Sequence, residues 1–164
     1  MILRHANGLS KAEIGGSPTR NAAPPSAKAA SSVRVMVVED DPVTRALLCH
    51  RLRRIGCSIV AECDSAKDAS EQVASLRPDL VTLDVEMPEF DGIGAIDLFR
   101  TIRRESRQSE VIIVSASAFP AYRELFLKEG AFAYIPKPID FAKLATQLLR
   151  MFPELTPYEP DSGL

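Results

Sequence analysis

Histidine and cysteine are scarce in this chain, and that scarcity removes several chemistries at once. The 164 residues hold two His and three Cys. His5 falls in a stretch without apolar periodicity, and His50 sits beside Arg51 on an expected helix. Neither has a companion that would make a ligand or catalytic pair. Cys49, Cys57 and Cys63 contain no C-x-x-C pair and are odd in number. A zinc site or disulfide framework is disfavoured, and the thiols read as small apolar side chains in a reducing cytosol. No apolar run nears the roughly 20 residues that span a membrane. The opening MILRHANGLSKAEIGG lacks the apolar core of a signal peptide. The expectation is a cytoplasmic protein without membrane insertion. Positive charge is not in excess either: 20 Lys and Arg face 22 Asp and Glu, which speaks against nucleic acid as a partner.

What is present fits one soluble domain with tails: apolar residues make up 46% and charged residues 26%. Residues 1–32, rich in Ala, Ser, Pro and Gly, read as a disordered N-terminal tail. Its basic, Ser/Ala-rich character also resembles organelle transit peptides, a reading ranked below a flexible extension. Residues 33–152 carry the periodic signals. Residues 153–164, with Pro153, Pro157 and Pro160, read as an irregular C-terminal tail.

Within 33–152, strand and helix signals alternate. VRVMVV (33–38), SIVAEC (58–63), LVTLDV (80–85), VIIVS (111–115) and 132–135 are short, β-branched runs, as expected of strands buried on both faces. Helices are expected over 42–55, 66–76, 93–104, 120–129 and from 140 to about 152. Asp41 and Asp140 are N-cap residues, Pro42 opens a helix, and Gly56 and Gly130 end helices. Five strands alternating with five helices imply an α/β fold, a parallel sheet with helices on both faces. Such sheets bind ligands at the carboxyl ends of their strands, beside the topological switch point.

Four groups fall at those ends. The first strand runs into Glu39-Asp40-Asp41, the third into Asp84 with Glu86 beyond, the fourth into Ser115-Ala116, and the fifth into Lys137-Pro138. Each alone has a structural explanation. Acids suit a helix N-terminus, Asp and Ser suit strand-end turns, and Lys137 suits an exposed loop. Their coincidence at one edge points to chemistry. Carboxylates about 4 Å apart repel by roughly 4 kcal/mol at an effective dielectric near 20, so three together call for a cation. An all-oxygen set suits Mg²⁺, which also accepts phosphate oxygens. One carboxylate could then act as a nucleophile and form an aspartyl phosphate.

The segments VRVMVVEDDPVTR, PDLVTLDVEMPEFDG, VIIVSAS and GAFAYIPKP, in this order and spacing, resemble response-regulator receiver domains of two-component signalling over about residues 33–152. The resemblance implies a flavodoxin-like sheet of order 2-1-3-4-5. It implies Asp84 as phosphoacceptor and metal ligand. Asp40 would bind Mg²⁺ directly, Glu39 through water and Glu86 through its backbone carbonyl. Ser115 and Lys137 would meet the phosphoryl group, and Tyr134 would be the aromatic switch residue. The Lys137–Pro138 bond is expected to be cis, as X-Pro chemistry permits. Glu86 and Ser117 occupy positions that tune dephosphorylation in the family.

The resemblance further implies a sensor histidine kinase or histidine phosphotransfer protein as donor and a downstream target protein as receiver of the signal. Nothing in the sequence decides between monomer and homodimer. VTLDVEMPEFDG looks most like receivers of chemotaxis methylesterases, yet no G-x-S-x-G motif is present, so no esterase activity is expected. The chain is expected to be a single-domain response regulator that catalyses, at most, its own phosphotransfer and autodephosphorylation. The alternatives are a phosphorylation-independent interaction module with a receiver fold and, ranked lower, an aspartyl-phosphate phosphatase. The latter would want Asp where Glu86 stands.

Overall fold

A computed structural model describes residues 32–159 apart from Phe90 and Ala118. The N-terminal tail expected over 1–32 lies outside the described residues except for Ser32, as do the last five residues. Elements alternate along the chain as β1 (Arg34–Val38), α1 (Pro42–Arg54), β2 (Ser58–Cys63), α2 (Ala66–Leu76), β3 (Leu80–Asp84), α3 (Ala95–Glu105), β4 (Glu110–Ser115), α4 (Pro120–Lys128), β5 (Ala133–Pro136) and α5 (Phe141–Met151). The strands form one sheet of order β2-β1-β3-β4-β5, with every neighbouring pair parallel. This is the flavodoxin-like order expected from the sequence.

Local chemistry sets the helix limits. Asp41 accepts the Thr44 amide at 2.7 Å and Pro42 opens α1. Ser65 caps α2 through the Asp68 amide, and Asp140 caps α5 through the amides of Ala142 and Lys143. These side chains satisfy donors that have no partner inside the helix. Gly56 takes the left-handed conformation (φ 97°) that ends α1. Helix α3 begins two residues later than the expected Ile93. Gly94 stays extended as its N-cap and donates to Asp97 Oδ2 at 3.2 Å, so the first helical turn starts at Ala95.

Burial explains why the strands read as continuous apolar runs. All five residues of β3 are buried, because helices cover both faces of the sheet. Val81, Leu83, Val111 and Ile113 meet α2, α3 and Phe126 of α4 on one face; Phe99 and Phe126 pack edge to face with centroids 5.4 Å apart. On the other face, Val35, Val37, Leu80, Ile112 and Val114 meet Leu48 and Leu52 of α1 and Leu144 and Leu148 of α5. The segment after α5 has no helix or strand but joins this second core. Leu155 is buried, and the Thr156 amide donates to Ile55 O at 3.0 Å. Arg51 lies between the rings of Phe141 and Tyr158.

The chain leaves β1 for β2 on one side and then crosses to β3 on the other. The ends of β1 and β3 therefore flank the switch point, where a crevice opens beyond the sheet. Glu39 and Asp84 stand at those two ends.

Candidate functional site

Asp84 is the last residue of β3 and Glu39 the first after β1, and both side chains are buried, at 3% and 2% exposure. Two carboxylates so placed require counter-charge, and Lys137, next after β5, supplies it. Its Nζ donates to Asp84 Oδ2 at 2.6 Å and to Glu39 Oε1 at 2.9 Å. The Lys137 amide donates to Ser115 O at 2.7 Å, and the Lys137–Pro138 peptide is cis. The lysine's backbone is thus tied to the end of β4 while its head reaches back across β3 to β1.

Electrostatics follow from this packing. Burial is the largest influence on Glu39 and raises its pKa above the ordinary 4.5, with the Asp84 charge adding to the rise and Lys137 opposing it. For Lys137, burial alone would lower the pKa. Its bonds to Asp84 and Glu39 outweigh that, and the ammonium is held above its ordinary 10.5.

The remaining residues of the constellation lie around this core. Asp40 is exposed, and its carboxylate comes within 4.8 Å of those of Glu39 and Asp84. Ser115 is fully buried at the end of β4, and its Oγ accepts from the Ser117 amide at 2.9 Å. Tyr134 is half-buried on β5 and donates to Ser117 O at 3.2 Å. Asp84 Oδ1 accepts from the Glu86 amide at 2.9 Å. Beside Asp40 opens a cleft of about 510 Å³, lined also by Asp64, Ser65, Pro88 and the ion pair of Lys67 with Asp91.

One contact was not anticipated from the sequence. The Glu86 side chain crosses to the β4–α4 loop, where its Oε2 accepts from the Ala116 amide at 2.6 Å. The resemblance implied for Glu86 a metal-binding backbone carbonyl and a position that tunes dephosphorylation, and named no partner for its carboxylate. The partner of its carboxylate depends on how β3 and β4 end side by side, which no local pattern encodes.

The donor set suits a hard divalent cation. Three carboxylates offer oxygens within 4.8 Å of one another. Both Glu39 oxygens lie 2.9 Å from the Lys137 ammonium, which Asp84 Oδ2 shares at 2.6 Å. Three clustered carboxylates against the Lys137 ammonium leave negative charge that an oxygen-ligated Mg²⁺ would offset.

With this geometry in hand, known proteins give the site a family. The family model of the response regulator receiver domain matches residues 35–149. The chain belongs to the response regulator receiver family. It is 34% identical over 133 residues to the signal transduction histidine-protein kinase BarA of Shigella flexneri, covering 81% of this chain and 14% of that protein. It is 32% identical over 124 residues to a protein-glutamate methylesterase/protein-glutamine glutaminase of Archaeoglobus fulgidus, covering 72% of this chain and 34% of the relative. This receiver therefore spans only a minor part of those relatives. Among solved structures it resembles the CheX-CheY-BeF3-Mg complex from Borrelia burgdorferi, with TM-score 0.67, 26% identity and coverage of 73% of this chain and 88% of that one. It also resembles the response regulator domain of Thermotoga maritima CheB, with TM-score 0.62, 26% identity and coverage of 79% and 99%. Among the described residues, no helix of the receiver is long and apolar enough to cross a membrane.

Proposed function

We propose that this receiver takes a phosphoryl group onto Asp84 from the phosphohistidine of a sensor histidine kinase or histidine phosphotransfer protein. The observation that carries this reading is Asp84 itself: a buried carboxylate at the switch point, with Oδ2 on Lys137 and Oδ1 on the Glu86 amide. An oxygen of Asp84 attacks phosphorus in line with the P–N bond of the donor. That bond breaks, its electron pair returns to the imidazole, and an acyl phosphate remains. Lys137, already within hydrogen-bond reach, moves its charge onto a phosphoryl oxygen. The Ser115 hydroxyl turns from the Ser117 amide to donate to another.

Glu39, Asp40, Asp84 and the backbone carbonyl of Glu86 are the groups that would hold Mg²⁺. Bound there, the ion supplies neutralisation of charge on the transferring group. The Ser115 shift frees the Ser117 end of the β4–α4 loop, to which Tyr134 is also tied. Tyr134 then turns inward, and the face made by α4, β5 and α5 presents a changed surface to a downstream target protein. This is a local charge event with a conformational readout. The same reading takes residues 33–152 as the working domain.

The test is phosphoryl uptake from ³²P-labelled acetyl phosphate with Mg²⁺. The wild type should acquire a hydroxylamine-labile label and Asp84→Asn none. Labelling of Asp84→Asn at the wild-type rate would overturn the assignment.

A further inference from the structure

Arg45 sits near the less favourable end of its helix. A cation suits a helix carboxyl end, and Arg51, Arg53 and Arg54 occupy the last turn of α1 accordingly. Arg45 instead lies close to the Asp41 cap, where the helix dipole disfavours positive charge. No acid draws it there, since it forms no ion pair among the described residues. Its half-buried side chain turns back on the β1–α1 loop. Nη1 donates to Glu39 O at 2.6 Å and to Asp40 O at 3.3 Å.

Those carbonyls belong to the two residues whose carboxylates cluster with Asp84. The peptide joining Asp40 to Asp41 is gripped at both ends. Its carbonyl is held by Arg45, and its amide donates to Glu39 Oε1 at 3.3 Å. In a trans peptide the N–H and C=O point in opposite directions. The amide points at a carboxylate of the cluster, so the carbonyl points away from it. The Glu39 amide is fixed as well, to Cys63 O at 3.0 Å. The loop thus offers carboxylates to the crevice and turns two carbonyl oxygens onto α1.

Where those carbonyls point decides which ion the crevice suits. Ca²⁺ takes about 6–8 oxygens in a flexible shell, backbone carbonyls among them, whereas Mg²⁺ keeps several waters and tolerates little departure from octahedral geometry. We propose that Arg45 is a specificity-determining positioning residue: it holds the Glu39 and Asp40 carbonyls against α1, out of the cation site, and so sets a preference for Mg²⁺ over Ca²⁺. This rests on Glu39, Asp40 and Asp84 holding the cation that assists the proposed phosphoryl transfer. Released from Arg45, the Asp40 carbonyl can rotate toward the crevice and add an oxygen beside the three carboxylates. Asp41 permits this, because its φ of −70° can widen to about −160° within the extended region. The added oxygen suits the larger ion and crowds the smaller one. A guanidinium makes a durable clamp, since it stays charged and only donates.

The full chain tests this without a phosphodonor, by titration with Mg²⁺ and separately with Ca²⁺, followed in ¹⁵N-resolved NMR spectra at the Asp84 and Glu86 amides. The readout is the ratio of the Ca²⁺ to the Mg²⁺ dissociation constant in wild type, Arg45→Ala and Arg45→Lys. Arg45→Ala should weaken Mg²⁺ binding and spare Ca²⁺, so the ratio falls about tenfold, the scale of one lost hydrogen bond to a charged group. Arg45→Lys keeps the charge without the planar fork and should fall between, at about threefold. The ratio separates this role from two others. A cation acting through charge alone repels both ions alike, so its loss would tighten both. A residue that only stabilised the fold would, when lost, weaken both. A ratio within about twofold of wild type in Arg45→Ala overturns the proposal, and Arg45→Lys decides by the same criterion if Arg45→Ala does not fold. A second readout follows the carbonyl itself. Ca²⁺ should move the Asp40 carbonyl ¹³C resonance further in Arg45→Ala than in wild type, and an equal movement also overturns it. Binding with an unchanged ratio leaves the cation site of the proposed transfer intact. A wild type that binds neither ion removes that site and the role of Arg45 with it.

Discussion

Replacing Lys137 by Met keeps a flexible apolar stem and deletes the one ammonium that bridges Glu39 and Asp84. The bridge spans 2.9 Å and 2.6 Å, so each attraction is about 6 kcal/mol at an effective dielectric near 20. Most of this offsets the desolvation of two buried carboxylates and a half-buried ammonium and is not net stability. The variant's penalty is set by what the two acids do when left alone. Their nearest oxygens lie within 4.8 Å, a repulsion of about 3.5 kcal/mol or more at the same dielectric. One acid can escape it by taking a proton. Glu39, already raised above 4.5 by burial, is the one that does so. Neutralising a carboxyl of ordinary pKa 4.5 at pH 7 costs about 3.4 kcal/mol, and at pH 5 only about 0.7. These figures cap the penalty at about 3 kcal/mol at pH 7 and below about 1 at pH 5.

The sign follows from proton linkage. In the variant the folded state binds a proton that the unfolded state releases above pH 4.5, so stability falls as pH rises through that window. In the wild type the raised Lys137 contributes throughout the same window, and its contribution is lost only as pH rises beyond 10.5. Glu39 is raised in the wild type as well, so only the part released by losing Lys137 appears in the difference. Urea unfolding followed by circular dichroism at pH 5 and pH 7 in EDTA measures it, and adding Mg²⁺ at pH 7 should narrow the gap by restoring a cation. A penalty below about 1 kcal/mol at pH 7, or one equal at the two pH values, would refute the view that Lys137 is the counter-ion holding this site together.

Two further outcomes follow from the same packing. Burial pushes the Cys49 thiol up to about 11 and those of Cys57 and Cys63 to about 12, so none should react with Ellman's reagent in the native protein at pH 8, and all three should react on denaturation; native-state labelling at a rate independent of urea would contradict this. Ending the chain after Phe152 removes buried Leu155 and the Thr156–Ile55 bond. Losses of about 2 and 1 kcal/mol, less the entropy regained by the freed segment, predict a destabilisation of about 1–2 kcal/mol in urea, and an unchanged midpoint would mean the segment is not docked in solution.

The fold was legible because each element carries a local signal that its environment reinforces. Strands covered on both faces are continuously apolar and rich in Val and Ile, and helices announce themselves through Asp41, Pro42 and Asp140. Where a boundary was misread, a backbone choice outweighed side-chain pattern. Ile93 continues the apolar period of α3, but Gly94 remains extended and delays the helix to Ala95. Docking of Leu155 and Tyr158 was invisible for a different reason. A segment with three prolines and no period shows only that it is irregular, and what it touches depends on where α1 and α5 converge. The acids, Ser115 and Lys137 could be assigned to one sheet edge because strand ends are countable. The Glu86–Ala116 bond could not, since it depends on side-chain reach between two loops.

Lys137 links the charge state of the site to the shape of the sheet edge: its head satisfies Glu39 and Asp84, and its amide is fixed to Ser115 O. If Asp84 becomes an acyl phosphate, the ammonium must divide itself between the new dianion and Glu39, both of whose carboxylate oxygens lie 2.9 Å from it. Glu39 would then lose counter-charge as the phosphoryl group is satisfied, and a bound divalent cation is the group best placed to supply it.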